Sequence, residues 1–221
     1  VSFRYPGAGA PSLADVSFAA PRGSTIGVIG GTGSGKSTLV NLIPRLYDAT
    51  EGSVKVFGAD VKQYRLRELR GRIGVAPQRA ALFRGTIREN LQWGKPGATD
   101  EEITRALTVA QAADFVFASP EGLDRHIEQG GRNLSGGQRQ RLTIARALVG
   151  EPDILILDDS ASALDYATDA RLRRAIRENT RDMTVFIVSQ RVSSIRQADA
   201  ILVLDDARLA GVGTHEALMR D

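Results

Sequence analysis

The stretch Thr25-Ile26-Gly27-Val28-Ile29-Gly30-Gly31-Thr32-Gly33-Ser34-Gly35-Lys36-Ser37-Thr38-Leu39 decides how the rest of the chain is read. A short apolar run, Thr25 to Ile29, passes into a glycine-rich turn and then into the apolar, helix-patterned segment Leu39 to Leu46. The turn has the form G-x-x-x-x-G-K-[ST], and it stands between a strand and a helix, as a phosphate-binding loop (P-loop) requires. Its glycines allow backbone angles that aim successive N–H groups into one concavity, and the helix N-terminus adds partial positive charge. Lys36 reaches the β and γ phosphates of a nucleotide, the Ser37 hydroxyl is a ligand for Mg2+, and Gly30, Gly31, Thr32, Gly33, Ser34, Gly35 and Thr38 complete the cradle. The plainer reading is a glycine-rich turn with an exposed lysine; the flanking strand and helix weigh against it.

Five more short apolar runs bounded by Gly, Pro or Asp read as strands: Ser53 to Phe57, Ile73 to Ala76, Ile154 to Leu157, Thr184 to Val188 and Ala200 to Leu204. Several lack polar alternation, so they are buried on both faces, which implies a mostly parallel sheet covered by helices in an α/β fold. Ile201 to Leu204 and Arg208 to Val212 flank Asp205-Asp206-Ala207 and read as an antiparallel hairpin at a sheet edge. Between Gln78 and Gly150 the strand signal vanishes and helical periodicity takes over, as in Asp100 to Ala113 with Ile103, Leu107 and Ala110 on one face. A helical subdomain over about 79–150, inserted into the sheet domain, is therefore expected, with an antiparallel β part at the N-terminus.

Composition excludes several classes of function. The chain has 221 residues, 42% hydrophobic and 25% charged, an ordinary globular balance that rules out disordered and collagen-like chains. No apolar run approaches the ~20 residues of a membrane-spanning helix. The net charge of +3 arises from 29 basic against 26 acidic residues spread along the chain, so no nucleic-acid partner is expected. With no cysteine there is no disulfide scaffold, thiolate zinc site or cysteine nucleophile, and two histidines do not suffice for a histidine-rich metal site.

Two further motifs carry chemistry. Ile154-Leu155-Ile156-Leu157-Asp158 places a carboxylate at the end of a neighbouring strand, where it would hold Mg2+ through water, although a helix cap is the alternative. Leu134-Ser135-Gly136-Gly137-Gln138, followed by Arg139-Gln140-Arg141 and the helix Leu142 to Leu148, is a second anion site, with Ser135 at an N-cap and two glycines exposing backbone N–H groups. A capped helix would be the bland reading of that pentapeptide alone. The order P-loop, glutamine after a strand, LSGGQ and acidic strand end spans the chain, and in it the sequence resembles the ATP-binding-cassette (ABC) ATPases, which are P-loop NTPases.

The resemblance implies roles for particular residues. Tyr5, in Phe3-Arg4-Tyr5-Pro6, matches the aromatic that stacks on adenine; a half-buried strand tyrosine is the alternative. Gln78, in Ala76-Pro77-Gln78, matches the Q-loop glutamine that contacts Mg2+ and the attacking water while sensing a transmembrane partner. Ser162-Ala163-Leu164-Asp165 matches the D-loop, which crosses to a second subunit, and Leu82 to Leu91 is similar to the segment that follows the Q-loop in exporters. In this family two cassettes dimerise head to tail, each ATP lying between one P-loop and the other cassette's signature, and the cycle moves attached membrane helices. The implied setting is the cytoplasmic face of the cell membrane. The abrupt start at Val1 without Met fits a chain cut from a longer one whose fused transmembrane domain is absent here.

At two positions the sequence departs from the family pattern. The residue after the magnesium acid is normally glutamate, which polarises the attacking water, and here it is Asp159; the switch residue after Thr184 to Val188 is normally histidine, and here it is Gln190. Aspartate is one methylene shorter, which sets its carboxylate ~1.5 Å back, and misplacement of about 1 Å costs up to 10²-fold. Glutamine donates a hydrogen bond to a phosphate but carries neither proton nor charge. The expectation is the degenerate half of a heterodimeric exporter, which binds ATP, hydrolyses it slowly and completes its partner's site with an intact LSGGQ. A homodimer in which Asp159 works and an importer ATPase are the alternatives. A translation or DNA-maintenance member is disfavoured, since only 55 residues separate Gln78 from Leu134, with no heptad run between them.

Overall fold

The computed structural model describes residues 1–180 and 182–220. Strand β1 (Thr25–Gly30) leads into helix α1 (Lys36–Leu42), the strand pair β2 (Lys55–Val56) and β3 (Ala59–Asp60), helix α2 (Leu66–Gly71) and strand β4 (Ile73–Ala76). The middle of the chain holds β5 (Gly85–Thr86), α3 (Ile87–Gln92), α4 (Asp100–Val109), α5 (Ala113–Phe117), β6 (His126–Ile127) and α6 (Gly136–Leu148). Then follow β7 (Ile154–Asp158), α7 (Tyr166–Asn179), β8 (Thr184–Val188), α8 (Val192–Ile195), β9 (Ala200–Asp205), β10 (Arg208–Gly213) and α9 (His215–Leu218).

Side chains of successive strand residues point to opposite faces, and here both faces are apolar. In β7, Leu155 and Leu157 join a core with Leu142, Ile144 and Leu148 of α6, whereas Ile154 and Ile156 join a second core with Leu39, Val40 and Leu42 of α1. In β8, Val185 and Ile187 fall on the first side, and Phe186 and Val188 on the second. Every residue of β7 and β8 is buried. At ~1.5–3 kcal/mol for each large aliphatic side chain removed from water, this two-sided burial is the main stabilising contribution.

The main sheet has the order β10-β9-β1-β8-β7-β4, parallel throughout except for the β9–β10 edge hairpin. β8 lies between β1 and β7, so one strand separates the strand ending in Asp158 from the P-loop strand. Parallel strands end on one side, and that edge is where open α/β sheets bind ligands. Here it collects the segments after β1, β4, β7 and β8.

Several boundaries differ from the sequence expectations. Helix α1 stops at Leu42 instead of running to Leu46, because Pro44 has no backbone N–H to continue the hydrogen-bond ladder and Arg45 turns the chain with φ of 53°. The run Ser53 to Phe57 narrows to Lys55–Val56, paired only with β3. The N-terminal antiparallel part is thin: besides that pair it consists of the bridges Ser2–Glu51 and Phe3–Leu13. In the middle block, Gly85–Thr86 and His126–Ile127 pair antiparallel, a contact too short to leave a period-two pattern. The helix expected over Asp100 to Ala113 ends at Val109, because Gln111 turns the chain with φ of 58° before α5 begins. Thr99 opens α4, and Thr86 opens α3, each through a capping box with the glutamate three residues on.

Helix α6 reaches the sheet through one close approach. A Cβ on Gly74 of β4 would lie 2.2 Å from the carbonyl oxygen of Ala147, so only glycine lets the helix backbone settle on the strand. Gly74→Ala should therefore lower stability by about 1–3 kcal/mol, the usual cost of overpacking a close-packed contact. Gly71, in α2, has open space around its Cα, and Gly71→Ala should be neutral or stabilising by up to ~1 kcal/mol. Urea denaturation of the two variants checks the pair; equal midpoints would show that the β4–α6 contact yields freely.

Candidate active site

Helix α1 begins at Gly35, whose φ of 98° is left-handed, and a Cβ there would lie 2.3 Å from the carbonyl oxygen of Ser12. The glycine before the lysine thus serves both the backbone angle and a contact with the N-terminal segment. Lys36 Nζ donates to the carbonyls of Gly30 (2.8 Å) and Gly31 (2.6 Å), so it arches over the loop it belongs to. Ser34 is buried, and among the described residues its hydroxyl has no partner. Thr32 and Gly33 lie exposed at the loop's tip, and Thr38 is buried one turn into α1.

Although β8 separates their strands, Ser37 and Asp158 meet: the Ser37 hydroxyl donates to Asp158 Oδ1 at 3.0 Å. Burial pushes the Asp158 carboxyl above its ordinary value, opposed by that hydrogen bond, and the neighbouring Asp159 charge pushes it further up. Asp159 is likewise raised by burial, opposed by the hydrogen bond from Gln78 Nε2 to its Oδ2 at 3.3 Å. Asp159 sits at φ of 46°, a left-handed conformation that aspartate tolerates better than most residues, and its N–H donates to the carbonyl of Val188. The ends of β4, β7 and β8 are thereby tied together: Gln78 to Asp159 and Asp159 to Val188, with Gln190 exposed two residues beyond.

Tyr5 is half-buried and its hydroxyl lies 3.2 Å from Thr38 Oγ1, which brings it beside the loop. It packs edge-on against Phe3 (centroids 4.8 Å apart) and Tyr47 (5.2 Å). Tyr47 is largely exposed and completes an aromatic group that sequence reasoning missed, because it lies past the end of α1 and outside any motif.

The Leu134–Gln138 motif opens helix α6 through a capping box. Leu134 is buried, Ser135 caps α6, its Oγ accepts from the Gln138 N–H at 3.2 Å, and Gln138 Oε1 accepts from the Ser135 N–H at 3.0 Å. This box leaves Gly136 and Gly137 at the helix start, against Ala163 and Leu164. Among the described residues no side-chain hydrogen bond joins this motif to the P-loop. Buried Gln140, by contrast, donates to the carbonyl of Pro77 at 3.3 Å and links α6 to the segment carrying Gln78. Asp165 caps α7, accepting from the Thr168 N–H (2.9 Å) and hydroxyl (2.7 Å), and those bonds hold its carboxyl below the usual value. Its carboxylate is thus committed within the chain.

The oxygen donors that converge here, one hydroxyl and one buried carboxylate beside a carboxamide, suit a hard divalent cation shared with phosphates better than a soft metal. Among the described residues no group of three or more His, Cys, Asp or Glu side chains could hold a metal by itself.

Comparison with known proteins identifies the family. The family model described as ABC transporter matches residues 13–162. An uncharacterized ABC transporter ATP-binding protein of Mycobacterium tuberculosis is 48% identical over 223 aligned residues, covering 100% of this chain and 38% of its own length. The probable multidrug resistance ABC transporter ATP-binding/permease protein YheI of Bacillus subtilis is 44% identical, covering 99% of this chain and 37% of its own length. The solved structure of a bacterial Atm1-family ABC exporter with ATP bound superposes with a TM-score of 0.95 at 38% identity, covering 100% of this chain and 39% of that one. The chain thus spans well under half the length of these relatives, and with its P-loop, capped LSGGQ helix and matching family model it belongs to the ABC transporter family as a nucleotide-binding domain.

Proposed function

We propose that this chain is the ATP-hydrolysing motor domain of an ABC exporter, with residues 79–150 as its helical subdomain, and that it is the slower half of a heterodimer. The observation that carries the reading is the linked set Ser37–Asp158 and Gln78–Asp159 at the strand ends, together with an intact LSGGQ that, among the described residues, makes no side-chain hydrogen bond to its own P-loop. A site of this kind is completed by a second cassette lying head to tail. The exporter assignment is supported by the multidrug export relatives and by the segment Leu82 to Leu91.

In this reading the P-loop amides, Lys36 and the Ser34 hydroxyl hold the phosphates, and Tyr5 offers an aromatic edge or face to the adenine. Ser37, Asp158 and Gln78 would hold Mg2+, which when bound neutralises charge on the phosphate oxygens. Asp159 takes the place of the residue that orients the attacking water. Its carboxylate is one methylene short of glutamate and already accepts from Gln78, so the water is held loosely. Gln190 contributes a hydrogen bond but no proton transfer.

The face formed by Phe83 and Trp93 suits a membrane-domain partner. Phe83 and Trp93 are exposed by 46% and 68% and stack with centroids 4.8 Å apart, an aromatic surface of the kind that protein interfaces cover. Among the described residues no helix is long and apolar enough to cross a membrane. The membrane helices of the proposed exporter, and with them its cargo, would belong to another part of the protein, at whose cytoplasmic side this domain works.

Hydrolysis by the purified domain should be slow, and Asp159→Glu combined with Gln190→His should raise kcat by about tenfold or more, as expected where ~1 Å of misplacement limits the chemistry. Brisk turnover by the unmodified domain, unchanged in the double variant, would overturn the degenerate-site reading and favour a fully active homodimer. Lys36→Ala should weaken ATP binding by at least about tenfold, as expected for loss of a charge-assisted contact. Equilibrium binding of a fluorescent ATP analogue measures this, and unchanged affinity would contradict the P-loop assignment.

A further inference from the structure

Arg191 follows the switch residue and is joined to two loops at once. Its backbone N–H donates to Ser189 Oγ at 3.0 Å. Its guanidinium donates from Nη1 to the carbonyl of Leu164 at 3.1 Å and from Nη2 to the carbonyl of Ser162 at 3.0 Å. The same group lies over the ring of Tyr166, 4.9 Å from its centroid. Two carbonyls two residues apart, met by a planar fork and backed by an aromatic face, are an arrangement that arginine satisfies and lysine does not.

The residue between those carbonyls faces the other motif. The Ala163 oxygen lies 3.4 Å from where a Cβ on Gly137 would stand, and the Ala163 Cβ 3.9 Å from one on Gly136. At its other end this loop is bound to the strand-end residues, since the Ser162 N–H donates to the carbonyl of Asp159 at 3.2 Å. Beneath it, Asp169, only 1% exposed, accepts from the Ser194 hydroxyl at 2.9 Å and pairs with Arg173 at 3.1 Å, which anchors α7 to α8. Residues 162–165 are therefore tied to the switch segment by Arg191, and helix α7, into which they lead, is anchored to α8 by Asp169.

Ser162 is exposed, so water would satisfy its carbonyl equally well, whereas Leu164 is buried. What the guanidinium adds is a fixed geometry. It makes the switch segment, the loop and the two signature glycines one continuous path within a single chain, from the residue beside this chain's own nucleotide to the motif offered to the partner's nucleotide.

We propose that Arg191 is a positioning residue: it holds the 162–165 loop in register with the switch segment and so sets the placement of Gly136 and Gly137 against the partner cassette's ATP. The inference rests on the reading of this chain as an ABC motor. It places Arg191 in the coupling between the two nucleotide sites and leaves the binding of ATP to this chain's P-loop to other residues.

The test uses the full-length transporter, assembled with its second cassette, carrying Arg191→Ala, Arg191→Lys or Tyr166→Leu. Arg191→Ala should lower kcat for ATP about tenfold, the scale of an ångström-level misplacement, with KM changed by no more than about twofold. Arg191→Lys should recover less than half of the loss, because one ammonium cannot hold both carbonyls, and Tyr166→Leu should cause a smaller loss of the same kind. A lower melting temperature with unchanged kcat per folded transporter, or full rescue by lysine, would overturn the proposal. If Arg191→Ala does not fold, the lysine and Tyr166 variants decide the matter by the same readout. An unmodified transporter that neither binds nor hydrolyses ATP would instead sink the motor reading on which the proposal stands.

Discussion

The burial of β1, β7 and β8 on both faces is the constraint from which the rest follows. Strands with no polar face need helices on both sides, and helical crossovers favour a parallel arrangement in which all strands end together. The P-loop, Asp158, Asp159 and Ser189 hang from that shared edge, so their mutual positions are set by the hydrogen-bond register of the sheet more than by the loops themselves. The register places Asp158 opposite Val188, which lets Asp159 donate its N–H to the Val188 carbonyl. Chemistry at the strand ends thus inherits the rigidity of a core several residues away.

The same edge carries local conformations that a free chain would avoid. Asp159 is held in the left-handed region, and the raised carboxyl of Asp158 records the cost of keeping a charge out of water. Such conformations persist only where the surroundings over-determine them. Here Val188 fixes the Asp159 backbone, Gln78 its carboxylate and Ser37 the carboxylate of Asp158. A side chain of different length at 159 would meet both constraints at once.

The strands were legible because their apolar runs match single passes through a buried sheet; Ile73–Ala76 and Thr184–Val188 have the boundaries that the sequence implies. Helix ends were less so: Pro44 and Gln111 stop helices that hydrophobic periodicity would extend. The two-residue pair of Gly85–Thr86 with His126–Ile127 left no signal, since its register is imposed by packing around it. Linear motifs were readable because their spacing is fixed by local backbone geometry. Contacts between motifs were not: the intervening β8, the aromatic group around Tyr47, the capping role of Asp165 and the reach of Arg191 to Ser162 and Leu164 depend on how distant segments converge.

Helix α6 has a mechanical consequence. Its 13 residues extend about 20 Å. The C-terminal end is pressed onto β4 where Gly74 meets Ala147, Gln140 is tied to Pro77 beside Gln78, and Gly136 lies at the far tip. With Ala147 as fulcrum, Gln140 stands seven residues along the arm and Gly136 eleven. Were α6 to tilt as a rigid rod about Ala147, a shift of about 1 Å at Pro77 would reach the tip as roughly 1.6 Å, since rise per residue is constant. A hydrogen bond spans a narrower range than that, so a tilt of that size would make or break contacts at the opposite end of the helix.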